Sequence, residues 1–288
     1  MRHRLFDKTS RTLIMGIPIL WIVLFMLLPY GVLLTYSFWL KKYPLFVPAF
    51  QFGNYVTLFT DPQYMQVLLR TLKIAALVSG ASLLLAYPFA YFIVFRLQSA
   101  RWRTVLFMAV IAPLWVSYLL RAYVWKTILG TEGILNTALI GLGIVDAPVD
   151  AFLYSQFAMV ITLTYIFIPF MVMPIYAALE KIPRNLDEAS ADLGMSAIQT
   201  FFRVTVPLSM PGIVAGFTMT FCLSFGDFIA PFLVGGPDGL MVANVITSQF
   251  GSALNWPLGS ALAVVMLILV LAIISVSDWI EQSGQVEL

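Results

Sequence analysis

Residues 185–207 read NLDEASADLGMSAIQTFFRVTVP, a polar island in a chain that is otherwise mostly apolar. Asn185 with Glu188 three residues on, and Ser196 with Gln199, each have the form of a capping box. In such a box a short polar side chain covers backbone N–H groups left unpaired at a helix start. Gly194 lies between the two boxes, where a helix can end in the left-handed conformation at little cost. Pro207 is expected to stop the second helix, because the residue before a proline is pushed out of helical geometry. The stretch therefore predicts two short helices meeting at Gly194, with Pro183 before them and Pro211 after.

The rest of the chain says where such an elbow would sit. Of 288 residues, 61% are hydrophobic and 10% charged, which a soluble domain of this length could not sustain. A bundle of membrane-spanning helices, each of about 20 apolar residues, can. The expected fold class is all-α membrane protein with six transmembrane helices and both termini cytoplasmic. Residues 1–12 form a basic tail and 13–278 the membrane domain with its loop at 180–208. Residues 279–288 form a short acidic tail.

The spans are expected at Leu13–Phe38, Val67–Phe95, from Thr104 past Pro113, Gln156–Ala178, Pro211–Val234 and Pro257–Ser277. The first run is too long for a signal-peptide core and is read as a retained span. Residues 39–66 read as an outer loop, and Ile134–Val145 as a short helix on the outer side, too short to cross. In this layout ten basic residues lie inside: four in the tail, three after the second span, and Lys181, Arg184 and Arg203. Six lie outside or at outer helix ends: Lys41, Lys42, Arg70, Lys73, Arg121 and Lys126. That is the direction the positive-inside rule requires.

Composition also limits the chemistry. His3 is the only histidine and Cys222 the only cysteine, so neither a Ser-His-Asp triad nor a histidine or cysteine metal site has material within the bundle. No GxxxxGK[ST] phosphate loop occurs. No catalytic residue, bound metal or cofactor is expected in this chain, nor any nucleic-acid partner at a net charge of +2.

Asp227 is the single acid well inside an expected span. An ionised group there costs about 2.5–3.5 kcal/mol on insertion scales, so it should face protein or water. It either lines a pathway for a cation or lies paired or hydrated near the outer end of the fifth span. Trp115, Tyr118, Tyr123 and Trp125 offer ring faces to an ammonium group, or form an interfacial aromatic belt. Helical spacing would put Trp115, Tyr118 and Ala122 on one face.

The elbow resembles the cytoplasmic EAA loop of ABC importer permeases. That loop runs Glu-Ala-Ala, three residues, Gly, nine residues, then Ile-x-Leu-Pro. Here the matching positions are Glu188, Ala189, Ser190, Gly194, Val204, Val206 and Pro207, and Asp192 lies within the motif. Ser190, Val204 and Val206 depart from it by small swaps. Further similarity lies in Asn54-Tyr55 to Thr71-Leu72, in GILN from Gly133 to Asn136, and in IPFMVMPIYAALEKIP from Ile168 to Pro183. Together these look like the first permease component of bacterial spermidine/putrescine importers.

The resemblance implies a type I importer permease fold and a heterodimer with a second homologous permease. It also implies two ATPase subunits carrying ATP and magnesium, a periplasmic substrate-binding protein, and a place in the inner membrane. Glu188, Ala189, Ser190, Asp192, Gly194 and Pro207 would then meet the ATPase. The solute would be a polyamine or a related organic cation. An amino-acid derivative, opine, sugar or iron complex is the alternative within the class, and an ATP-independent carrier or a membrane enzyme the alternative outside it.

Overall fold

A computed structural model describes residues 16–42, 45–183 and 185–286; for Asp187, Glu188 and residues 283–286 it describes the backbone alone. Among the described residues, five helices are long and apolar enough to cross a membrane: α1 (Gly16–Tyr36), α3 (Pro62–Arg96), α7 (Gln156–Glu180), α9 (Ala197–Phe225) and α11, whose apolar stretch is Trp256–Gln282. A sixth span is counted when α4 (Ala100–Trp115) is joined to the run Tyr118–Gly141, from which it is turned by 97°. That run holds α5 (Tyr118–Leu129) and α6 (Ile134–Gly141). Between α9 and α11 lies α10 (Val242–Phe250), and the helix of α11 continues unbroken through Val286.

Contacts divide the chain into two units. The first holds residues 16–62 and 245–268. Here the expected outer loop is partly structured: β1 (Leu40–Lys42) pairs antiparallel with β2 (Leu45–Val47), Lys41 opposite Phe46, and α2 (Gly53–Thr60) follows. Asn54 Nδ2 donates to the carbonyls of Ser37 and Trp39, and the Ser37 and Tyr55 hydroxyls share a hydrogen bond of 2.7 Å. Phe38 stacks on Phe50 at 4.8 Å. No residue of α1 is buried.

The second unit holds residues 63–244 and 269–286. α7 is its most buried span and packs along α9. Gly212 and Gly216, one helical turn apart, make that approach possible. A methyl on Gly212 would stand 2.5 Å from Ala178 Cβ and 2.6 Å from the Pro174 carbonyl; one on Gly216 would stand 3.0 Å from the Met171 carbonyl. This is the small-xxx-small contact by which membrane helices approach closely where burial from water offers no drive.

One core groups Ile74, Val78, Met159, Leu163, Ile166 and Val234; another groups Ala86, Tyr87, Met171, Ile175 and Leu179. Asn136 of α6 is fully buried and pairs in both directions with the backbone of Val149 in the loop that follows.

Two expectations fail here for local reasons. Pro207 does not end the second elbow helix: one helix runs from Ala197 to Phe225. Pro207 lacks the N–H that would bond the Arg203 carbonyl. The backbone widens ahead of it into a π-helical turn at Phe201–Thr205, closed by the Val206 N–H on the Phe201 carbonyl. α1 does the same, with a π turn at Val23–Leu27 ahead of Pro29. The fifth span also breaks earlier than expected. Its helix closes at Phe225, and after Gly226 and Asp227 a separate segment leads into a π turn at Pro231–Gly235.

Candidate functional site

The elbow is built as two helices whose ends are sealed by their own residues. α8 (Asn185–Asp192) closes with Gly194 at φ +79°, the Gly194 N–H donating to the Ala191 carbonyl and the Met195 N–H to that of Ser190. This is the Schellman pattern, which satisfies two carbonyls left over at the helix end. α9 opens on the Ser196–Gln199 capping box with both bonds present, Ser196 N–H to Gln199 Oε1 at 2.9 Å and Gln199 N–H to Ser196 Oγ at 3.4 Å. The first box depends on the Glu188 side chain, which lies outside the described residues.

A third link crosses the elbow. Ser190 and Thr200, 4% and 7% exposed, share a hydrogen bond of 2.8 Å. Ser190 stands where the EAA pattern has alanine, and Thr200 supplies the buried partner its hydroxyl requires. Ala189 and Asp192 are exposed.

Sequence reading missed the apolar side of the elbow. Leu193, Ile198 and Phe202 are 81%, 72% and 64% exposed. Ile198 and Phe202 are four residues apart on α9 and so share a face. The signal was present as apolar residues inside a polar island.

On its inner side the elbow meets the end of α3. A cavity of about 260 Å³ is lined by Tyr91, Phe95 and Arg96 and by Ala191, Met195, Ala197 and Thr200. Phe201 stands edge-on to both Tyr87 and Tyr91, with centroids at 5.7 and 5.3 Å and planes at 83° and 84°. Such T-shaped pairs contribute about 0.5–1.5 kcal/mol beyond area burial. The Tyr87 hydroxyl shares a buried hydrogen bond of 2.9 Å with Ser209 Oγ of α9.

Asp227 occupies a different kind of break. It is 9% exposed. Oδ1 accepts the Ala230 N–H at 2.9 Å, capping the segment that follows, and Oδ2 accepts the Tyr118 hydroxyl. Tyr118 begins α5, so the first residue past the bend in one span is tied to the capping residue at the break in another. Arg121, also buried, lies 5.8 Å from the Tyr118 ring centre and donates to the Ile166 carbonyl at 3.2 Å.

The expected shared face of Trp115, Tyr118 and Ala122 is not formed. The chain turns at Val116 and Ser117, leaving Trp115 84% exposed while Ala122 is fully buried. Tyr123 is 47% exposed. Trp125 packs on the core 5.6 Å from Tyr165. Of the four ring and acid candidates for a pathway, the structure joins Tyr118 to Asp227 and leaves Trp115 and Tyr123 apart from them.

A multi-span α-helical membrane protein with a self-capped polar elbow between its fourth and fifth spans is the class these features define. The chain belongs to the binding-protein-dependent transport system inner membrane components, whose family model matches residues 1–283. It is 39% identical over 249 residues to the spermidine/putrescine transport system permease protein PotB of Escherichia coli (strain K12), covering 86% of this chain and 89% of that one. With PotB of Haemophilus influenzae it shares 36% over 274 residues, 95% and 94% of the two chains. The E. coli inner membrane ABC transporter permease protein YdcU is 38% identical over 234 residues, 77% and 74%.

Among solved structures, a chain of a bacterial ABC transporter importing the acidic polysaccharide alginate superposes with a TM-score of 0.75. It covers 98% of this chain and 99% of its own length at 20% identity. A chain of the methionine transporter MetNI reaches 0.56, covering 78% and 99% at 18% identity. The expected importer permease fold and inner-membrane location hold.

Proposed function

We propose that this chain is the membrane-spanning permease of an ATP-driven importer of polyamines or a closely related organic cation. In this reading both termini and the elbow face the cytosol. A second homologous permease completes the pathway, two ATPase subunits hold ATP and magnesium, and a periplasmic binding protein delivers the solute. The single observation that carries the coupling role is the elbow's exposed apolar trio, Leu193, Ile198 and Phe202, on a polar segment made stiff by its own caps. A membrane helix can leave apolar side chains to lipid; a polar elbow outside the bilayer needs a protein to cover them. In this reading Glu188, Ala189, Asp192, Gly194 and Pro207 complete that surface by their place in the motif, with the buried Ser190 behind it. Polyamine as the solute is supported by relatives of that printed function at 36–39% identity over most of the chain.

Two tests separate the parts. Purification of the tagged chain from its host should bring an ATPase subunit with it, and Glu188→Ala should leave the chain inserted while lowering transport-coupled ATP hydrolysis. Putrescine and spermidine should each be bound by the periplasmic partner protein; binding of neither would remove the polyamine assignment and leave the importer standing.

For the pathway, Asp227 and Tyr118 are the residues this reading assigns, the hydroxyl standing where an ammonium N–H could replace it, with Trp115 and Tyr123 as outlying ring faces. A second reading has its own observation: both Asp227 oxygens already accept donors from this chain, so the acid fastens two broken spans. Asp227→Asn separates them. A raised transport KM with full assembly supports the pathway; loss of assembled protein with unchanged KM supports the fastening.

A further inference from the structure

The elbow is covalently continuous with α9, and a short linker joins it to α7, but α3 reaches it only through space. The rings of Tyr87 and Tyr91 form two walls on α3, and Phe201 of α9 stands edge-on to both. Phe201 is also the first residue of the π turn at Phe201–Thr205. Beyond that turn, Ser209 hydrogen-bonds the Tyr87 hydroxyl. Tyr87 therefore holds α9 at the first residue of its widened turn, by ring contact with Phe201, and again beyond the turn, by its hydroxyl on Ser209. A π turn is a rare single-turn bulge within an α-helix and is frequent at functional sites. Clamping it from α3 makes displacement of the elbow a displacement of α3 as well, rather than a flexing of the turn alone.

We infer that Phe201, wedged between Tyr87 and Tyr91, is the positioning residue through which movement of the elbow reaches the second span. The inference rests on the proposed docking of the elbow on an ATPase, and names where the motion goes next. Coupling between sites requires an element that both sites bias, and the clamped π turn is that element.

The experiment is hydrogen–deuterium exchange on the complete importer in lipid nanodiscs, without nucleotide and with ATP plus vanadate. Two segments are followed: 185–200, the elbow, and 92–99, the end of α3 beyond Tyr91 with the three residues after it. Wild type should change in both. Phe201→Ala should retain the change at 185–200 and lose that at 92–99 by at least about fivefold, in the range of ordinary coupling energies. Phe201→Tyr, which keeps the ring edge, should restore it. Tyr91→Leu removes a wall from the α3 side without altering the elbow, and should behave as Phe201→Ala; it decides the matter if Phe201→Ala does not assemble. A wild-type change at 185–200 with none at 92–99, or a change at 92–99 that survives both substitutions, overturns the inference. No change at 185–200 in wild type overturns the docking reading beneath it.

Discussion

The elbow and the Asp227 knot are both interruptions of the helical bundle, and they are closed in opposite ways. The elbow is sealed from within: Gly194, Ser196 and Gln199 satisfy backbone groups within five residues, and Ser190 meets Thr200 ten residues on. The knot is sealed only in part from within, by the Ala230 N–H on one oxygen of Asp227; its other oxygen relies on a hydroxyl 109 residues away. A self-sealed segment keeps its shape while presenting Leu193, Ile198 and Phe202 outward. A segment sealed by a distant partner is only as firm as the packing that brings the partner there. Changes at the knot should therefore reach the whole fold, whereas changes at the elbow should separate function from stability.

The largest effect is expected at the knot. Asp227→Ala leaves the Tyr118 hydroxyl and Ala230 N–H without their acceptor and should cost about 3 kcal/mol, the upper range for a buried bond to a charged group. A lowered melting temperature in detergent, with Tyr118→Phe adding little on top, would show the two acting as one; a wild-type melt for Asp227→Ala would dissolve the contrast. Next is Gly212→Ala, whose methyl has no room against Ala178 and Pro174 and should cost about 2 kcal/mol in the same melt.

The same substitution at Gly194 sharpens the comparison. Nothing lies within 4 Å of a methyl there, so only the positive φ is penalised, about 1 kcal/mol. That cost should register as faster amide exchange within 185–200, with the global melt nearly unmoved. The smallest effect concerns the Ser190–Thr200 link. Ser190→Ala alone should cost about 1 kcal/mol of local stability, because the buried Thr200 hydroxyl loses this partner, and adding Thr200→Val should recover part of that loss. Additive losses measured by exchange would contradict the link.

What could be read from the residues follows the same division. The Ser196–Gln199 box and the Gly194 turn are local chemistry and were legible as they stand. Pro207 was misread as a stop because its effect on the residue before it is only one way out; a π turn is another, and local sequence does not choose between them. The face shared by Trp115 and Tyr118 assumed an unbroken helix across Ser117, where the chain turns instead. The Gly212–Gly216 spacing was visible and carries a packing meaning that was not drawn from it. That Asp227 meets Tyr118 was not legible at all, since nothing near either residue names the other.

The most direct test of the elbow's role is photo-crosslinking from Ile198, replaced by p-benzoylphenylalanine, in membranes containing the whole importer. Covalent capture of the ATPase subunit from Ile198, with none from a matched probe at the comparably exposed Trp115, is the predicted result. Capture of the periplasmic binding protein from Ile198, or of lipid alone in a complex that retains its ATPase, would contradict it.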